Sequence, residues 1–304
     1  MNSKTKHTIA ILIVIAAIAL SCFGMYVATN TSSITSDNAP AASAPQSPSD
    51  SGKDQFVITN LNVGKADCAI LTYKNTVGII DTGTYESYST LSEFLANNDI
   101  QKIDYLILTH YDQDHIGGAI QLLRDYSCDS IYLPDYVSEK KYYSELMSII
   151  RNFNNVCFVN NEQTLSVESL TLNIIPADEP VSLLESESNR DNNMSLVIRV
   201  SFGNNTFLFT GDIEKDRIAQ MLSFHDNLDA DWIKMPHHGE YQKKTAKLIE
   251  AVTPEYAVIS TSNERPTDEK LTNLLEEDHI KIFDTVHSNV ITICDGSNIT
   301  VINQ

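Results

Sequence analysis

Leu106-Ile107-Leu108-Thr109-His110-Tyr111-Asp112-Gln113-Asp114-His115-Ile116-Gly117-Gly118 is the stretch on which the reading of this chain turns. Residues 103–108 form an apolar run that reads as a buried strand. The run ends in two histidines and two carboxylates, and Gly117-Gly118 then open a helical pattern over 119–126. Imidazole nitrogens and carboxylate oxygens delivered from one tight turn, with a rigid strand behind them, suit a metal ion. The competing reading is a polar loop that is merely rich in Asp and His. Other strand ends decide between the two, by supplying further ligands or not.

Three more strand ends carry such groups. Residues 77–80 run into Asp81-Thr82-Gly83, where Asp81 alone reads equally as a site residue or a turn former. Residues 194–202 and 205–210 pattern as a hairpin across Gly203-Asn204, and the second strand ends in Gly211-Asp212. Residues 232–235 lead into Pro236-His237-His238-Gly239. Elsewhere, strands are expected at 55–62, 69–73, 131–134, 156–159, 165–167, 170–175, 256–260, 281–284, 290–295 and 299–302. Helical spacing marks 89–97, 139–153, 214–224, 245–252 and 267–278, and 178–191 reads as a solvated acidic loop. Two runs of strands, each followed by helices, imply two mixed sheets packed together with helices outside. The even spacing of short strands argues for one domain over residues 55–304.

The amino-terminal part is different in kind. Lys4 and Lys6 precede twelve uninterrupted apolar residues at 9–20, and apolar character continues to 28. That is about the twenty residues a bilayer requires. An uncleaved anchor, a cleaved signal and a lipoprotein box at Cys22 all fit. All three export the rest of the chain, because no lysine appears after the run until Lys53. Residues 1–8 would then be a cytoplasmic start and 9–28 the anchor or signal. Residues 29–54 are Ser, Ala, Pro and Thr with almost no large apolar side chain, and read as a disordered linker. The expected location is the cell membrane with the domain outside, or else secreted or lipid-anchored.

The chain has 304 residues and a net charge of −19. Lys4, Lys6 and Lys53 cancel Asp37, Asp50 and Asp54, so the whole charge falls on residues 55–304. Such a surface disfavours tight, non-specific binding of polyanions unless metal offsets it locally. The five cysteines are widely spaced without a CxxC pair, so neither a disulfide framework nor a structural zinc site is implied. Buried free thiols are the default, and one disulfide stays open.

Together, Asp81, the 110–115 cluster, Asp212 and the His237-His238 turn resemble the metallo-β-lactamase superfamily. Within it, the chain is similar to the extracytoplasmic hydrolase domain of the bacterial DNA-uptake channel protein ComEC. Gly64 to Asp67, Asp81-Thr82-Gly83, His110 to Gly118, Asn192 to Val197, Thr210 to Asp212 and Pro236 to Gly239 follow that group's motifs in order. The resemblance implies an α/β fold, a four-layer αββα sandwich of two mixed sheets, with a metal centre where the sheets meet. It implies that Asp114, His115 and Asp212 bind one metal with a histidine of the His237-His238 pair. His237 is the expected ligand, and His238 is expected behind it. His110 would anchor a second metal, with Asp112 where most of the superfamily has histidine. The usual third histidine is absent, because the matching strand entrance is Asn192-Asn193-Met194-Ser195. Zinc, one ion or two, is the default, and manganese is credible at the harder first position. Asp81 would orient a histidine ligand.

The relatives often carry His-Pro where this chain has Arg265-Pro266, and an Arg there could clamp an anionic group or simply lie on the surface. Arg265, Asn192 and Ser195 are the candidate substrate-binding residues, and Asp114 and His238 the candidate catalytic ones. The expected activity is metal-assisted hydrolysis of a phosphoester by an activated water, with a phosphodiester as leading substrate. DNA and a cell-wall-linked ester are both candidates, and the acidic surface weakens the first. β-Lactam hydrolysis is disfavoured by the missing histidine. The alternative is a metal-poor, membrane-tethered accessory domain, and no protein partner is evident.

Overall fold

The computed structural model describes residues 54–177, 187–224 and 227–304. The expected anchor and all but the last residue of the expected linker lie outside them, as does most of the acidic loop. Among the described residues, no helix is long and apolar enough to cross a membrane.

The first half runs β1 (Phe56–Asn60), β2 (Ala69–Tyr73), β3 (Thr76–Ile80), α1 (Tyr88–Asn97), β4 (Lys102–Ile107), α2 (Gln113–Ile116), α3 (Ala119–Asp125), β5 (Ser127–Pro134), α4 (Tyr143–Ile150) and β6 (Val156–Val159). Next come β7 (Gln163–Val167), β8 (Leu170–Ile175), α5 (Glu187–Asn193), β9 (Val197–Phe202), β10 (Asn205–Phe209) and α6 (Lys215–Phe224). The chain closes with β11 (Trp232–Lys234), a 3-10 turn (Pro236–Gly239), α7 (Thr245–Val252), β12 (Tyr256–Ile259), α8 (Glu269–Glu277), β13 (Lys281–Asp284), β14 (Val290–Cys294) and β15 (Ile299–Asn303).

One sheet has eight strands in the order β15-β14-β1-β2-β3-β4-β5-β6, and the other seven in the order β13-β12-β11-β10-β9-β8-β7. Pairing is parallel from β3 to β6 and from β10 to β13, where helices make the crossovers, and antiparallel elsewhere. Both sheets are therefore mixed, as expected. Ile58, Leu71, Ile107, Leu172, Ile198, Phe209 and Trp232 fill the space between them. Leu91, Ile120 and Leu146 cover the outer face of the first sheet, and Ile218, Leu248 and Leu271 that of the second. Burial on both faces is why β4 and β10 read as continuous apolar runs rather than alternating ones. The architecture is the four-layer αββα sandwich.

Some boundaries move, for local reasons. The helix expected at 139–153 begins only at Tyr143, because residues 139–142 form the loop that carries Lys140 to Asp112. The strand expected at 194–202 starts at Val197. Met194 still belongs to the preceding turn, its N–H donating to Arg190 O at 3.0 Å. The expected acidic loop holds α5 at its end.

Candidate metal centre

The functional side chains stand on four strand ends at the same rim of the sandwich. Asp81 follows β3, His110 follows β4, Asp212 follows β10, and His237 and His238 sit in the 3-10 turn after β11. Asp81, His237 and His238 all have positive φ, 57°, 47° and 53°. Non-glycine residues rarely hold that conformation unless surrounding structure imposes it, and such strain gathers at functional sites. Tight approach also explains two glycines of the motifs. A Cβ on Gly118 would lie 2.4 Å from Thr82 O, and one on Gly211 2.9 Å from Ser195 Cβ.

Each histidine of the cluster spends Nδ1 on the protein and leaves Nε2 for something else. His115 Nδ1 donates to Asp81 Oδ2 at 2.7 Å, and the Thr109 hydroxyl donates to the same oxygen at 2.7 Å. With its one proton committed there, Thr109 Oγ1 accepts from His110 Nδ1 at 3.1 Å. His238 Nδ1 donates to Ser260 O at 3.1 Å. The Nε2 atoms of His110, His115 and His238 are buried without a hydrogen-bond partner, and so is Asp212 Oδ1. Buried polar atoms left this way are costly unless a ligand satisfies them. An Nδ1 held by carboxylate or carbonyl, with Nε2 pointing into a cluster of oxygens, is the usual arrangement of metal-binding histidine.

Spacing tests the fit. Two donors bound tetrahedrally to one zinc ion, at about 2.0–2.1 Å each, lie about 3.3 Å apart. Asp212 Oδ2 is 3.2 Å from His115 Nε2 and 3.4 Å from His238 Nε2, and His238 Nε2 is 3.4 Å from Asp114 Oδ2. Asp114 groups with His115 and His238, and Asp212 reaches both imidazoles from its own side, so these residues would hold a divalent ion about the His115–His238 pair. His110 Nε2 and His237 Nε2 are each 4.0 Å from Asp212 Oδ2, longer than that tetrahedral spacing, although His110 forms a looser group with His115 and Asp212.

Electrostatics agree with a cationic occupant. Burial opposes charge on His115, but Asp212 and Asp81 outweigh it and hold its pKa well above the usual imidazole value. Burial likewise opposes charge on His238, and Asp212 and Asp67 raise it. Asp212 overcomes its own burial through His115 and His238 and stays well below the ordinary carboxylate range. Asp114, also against burial, is brought down to about 2 by its contact with His238 and the His115 charge. His110 goes the other way, lowered to about 4 by burial and by neighbouring His115.

Residues 61–262, about two thirds of the chain, match the family described as the metallo-beta-lactamase superfamily. The chain belongs to the metallo-β-lactamase superfamily. Its curated relatives bear out the resemblance to ComEC. ComE operon protein 3 of Bacillus subtilis is 27% identical over 253 residues, 76% of this chain and 32% of that protein. Recombination protein 2 of Haemophilus influenzae is 27% identical over 219 residues, 70% of this chain and 25% of that protein. The chain thus spans a third or less of the length of these relatives. Among solved structures, the metallo hydrolase Igni18 of Ignicoccus hospitalis aligns over 82% of this chain and 99% of its own, with a TM-score of 0.50 and 12% identity. That likeness speaks to the metallo-β-lactamase fold alone.

Within this metallo-β-lactamase centre, the expected residues separate. Asp114 groups with His115 and His238, Asp212 groups with His115 and separately with His238, and Asp81 holds His115 Nδ1. The histidine pair is reversed. His238 joins the donor set, whereas His237 turns its Nδ1 toward Glu214 and Glu240, 3.6 Å from each. The consecutive left-handed residues of the 3-10 turn point the two rings apart, which spacing in sequence does not disclose. Asp112 is in none of the converging groups, because Lys140 holds its carboxylate. Ser195 is fully buried and accepts the Asp212 N–H at 3.2 Å, so it positions a ligand and is closed to substrate. Asn192 donates to Glu214 Oε1 at 2.9 Å. Arg265 lies on an exposed loop, its backbone O accepting from Thr261 Oγ1 at 2.5 Å.

Sequence reasoning missed the pair Asp67–Lys234. Lys234 is 3% exposed, between the sheets, with Nζ 2.8 and 2.9 Å from the two Asp67 oxygens. Asp67 Oδ1 lies 3.4 Å from His238 Nδ1, so the pair backs the ligand turn. Against burial, Lys234 and His238 hold Asp67 far below the ordinary carboxylate range. The signal was a lysine inside the apolar run Trp232-Ile233-Lys234-Met235, which demands a buried counter-charge.

Proposed function

We propose that the domain is a metal-dependent hydrolase of phosphodiesters, exported and held outside the cell by its amino-terminal segment. The observation that carries this is the His115–His238 pair, with Asp212 Oδ2 at 3.2 and 3.4 Å from their Nε2 atoms and Asp114 Oδ2 at 3.4 Å from that of His238. A divalent ion bound there supplies Lewis-acid polarisation and lowers the pKa of water toward neutrality. Asp81 and Thr109 lock the ring planes of His115 and His110, while Asp67 and Ser260 fix that of His238. Asp114 is the most exposed member of the donor set.

The surroundings of the motif turn point to the substrate class. Tyr85 packs against Gly117 through its backbone and stacks on Tyr142, with ring centroids 6.1 Å apart and planes 9° apart. Lys141 lies over the Tyr142 ring at 4.7 Å. The exposed Tyr85 ring, stacked on a tyrosine that itself carries a lysine, suits a phosphodiester that bears a base or aryl group. The name of one relative, Recombination protein 2, agrees with a nucleic-acid substrate. A cell-wall-linked ester is the rival substrate. The incomplete His110 side favours the second reading, a metal-poor accessory domain.

Metal analysis combined with turnover of bis-p-nitrophenyl phosphate and a single-stranded oligonucleotide separates these. The hydrolase reading expects bound metal and turnover that Asp114→Ala abolishes. Turnover that survives chelation, or is unchanged in Asp114→Ala, overturns it.

A further inference from the structure

His110, Asp112, Asp114 and His115 come from one turn, yet only part of that turn serves the converging donors. Asp112 precedes α2 in extended conformation, φ −71° and ψ 148°, and its carboxylate caps nothing. Its backbone O does that work instead, taking the N–H groups of His115 and Ile116 at 3.0 Å each. The free carboxylate is claimed by Lys140, whose Nζ is 2.8 Å from Oδ1 and 3.0 Å from Oδ2. Asp191, on α5, stands 4.0 Å from the same ammonium.

Lys140 is not a loose surface lysine. Its N–H donates to Ser138 Oγ at 3.1 Å, and its O accepts from Tyr143 N at 3.1 Å, so both sides of the residue are tied into the start of α4. The loop is the same one that shortens the helix expected there. A second ion beside His110 would have to displace this ammonium from Asp112. It would then find His110, whose close neighbours His115 and Asp212 already serve the first position, with Asp212 Oδ2 4.0 Å from His110 Nε2 and closer to His115 and His238. Catalytic sites ordinarily offer an ion three protein ligands.

We infer that the centre is built for one ion, with the Lys140 ammonium standing in as fixed positive charge for a second. Lys140 neutralises Asp112 and so removes the anchor that a second ion would need. The inference rests on the metal centre and is independent of the phosphodiester reading.

The test is metal stoichiometry of the full chain after equilibration with excess zinc, repeated with manganese and electron paramagnetic resonance. The wild type is expected to retain one ion per chain and to give an uncoupled manganese spectrum. Asp112→Asn is expected to retain that ion, because Asp112 does not hold it. Lys140→Ala frees Asp112 and is expected to take up a second ion roughly tenfold more tightly than wild type, with coupling between the ions. Two tightly held, coupled ions in the wild type overturn the inference, as does loss of an ion in Asp112→Asn or unchanged second-ion affinity in Lys140→Ala. No bound ion at all overturns the metal centre itself. One bound ion without phosphodiester turnover overturns only the substrate reading.

Discussion

Asp112 and Asp114 are two residues apart in one turn, and they end in opposite surroundings. Asp114 falls inside α2, which brings it beside His115 and within 3.4 Å of His238. Asp112 falls just before the helix, extended, and pairs with Lys140. The same contrast separates His115 from His110. The first has carboxylates by both ring nitrogens, which hold its pKa above the usual imidazole value, while burial and His115 lower that of the second to about 4. A metal-binding turn therefore need not use all of its donors. The outcome is decided by which residues the first turn of the helix captures and what cation the opposite loop brings.

The largest expected effect tests the support behind the complete half. Lys234→Met leaves the Asp67 carboxylate buried without its partner and should destabilise the domain by roughly 3–5 kcal/mol in chemical denaturation. Adding Asp67→Leu should recover most of that loss, and a double variant no more stable than Lys234→Met would break the account of the pair. Next, His115→Ala should weaken zinc binding by more than about a hundredfold, whereas His110→Ala should cost less than about tenfold. Equal losses would erase the distinction between the halves.

Asp81→Ala, which frees the His115 ring, should lower metal affinity by roughly 10–100-fold without removing a donor. The sign of the pH dependence comes from His115 and His238, both held above the usual imidazole value. Their charged forms stabilise the metal-free protein below the unfolded imidazole pKa of about 6.5. That contribution is lost as pH rises through the raised folded values. A divalent ion competes for the same Nε2 atoms, so its affinity should climb over that window and its binding near pH 7 should release protons. Heats of zinc loading that do not vary with the buffer's ionisation enthalpy would contradict this. Smallest of all, Arg265→Ala should leave KM within about twofold, because an exposed rim charge contributes little.

The layers and most strands were legible because both sheets bury both faces, and apolar runs such as 103–108 show that plainly. Asp114, His115, Asp212 and Asp81 were legible because each ends an apolar run, where a carboxylate or imidazole has no other reason to stand. The choice between His237 and His238 was not, since two successive left-handed residues set it and no side-chain pattern encodes them. Ser195 was misread for a related reason. Its hydroxyl turns inward to the Asp212 N–H because Gly211 lets the two strands approach. Lys140 was hidden inside an apparent helix, and only the fold brings it across to Asp112.

The most direct test of the centre is an anomalous difference map at the zinc edge from crystals loaded with zinc. One strong peak is expected, ligated by Asp114, His115, Asp212 and His238, with Lys140 still on Asp112. A peak ligated by His110, Asp112 and His237, or no peak between the strand ends, would contradict the one-ion centre.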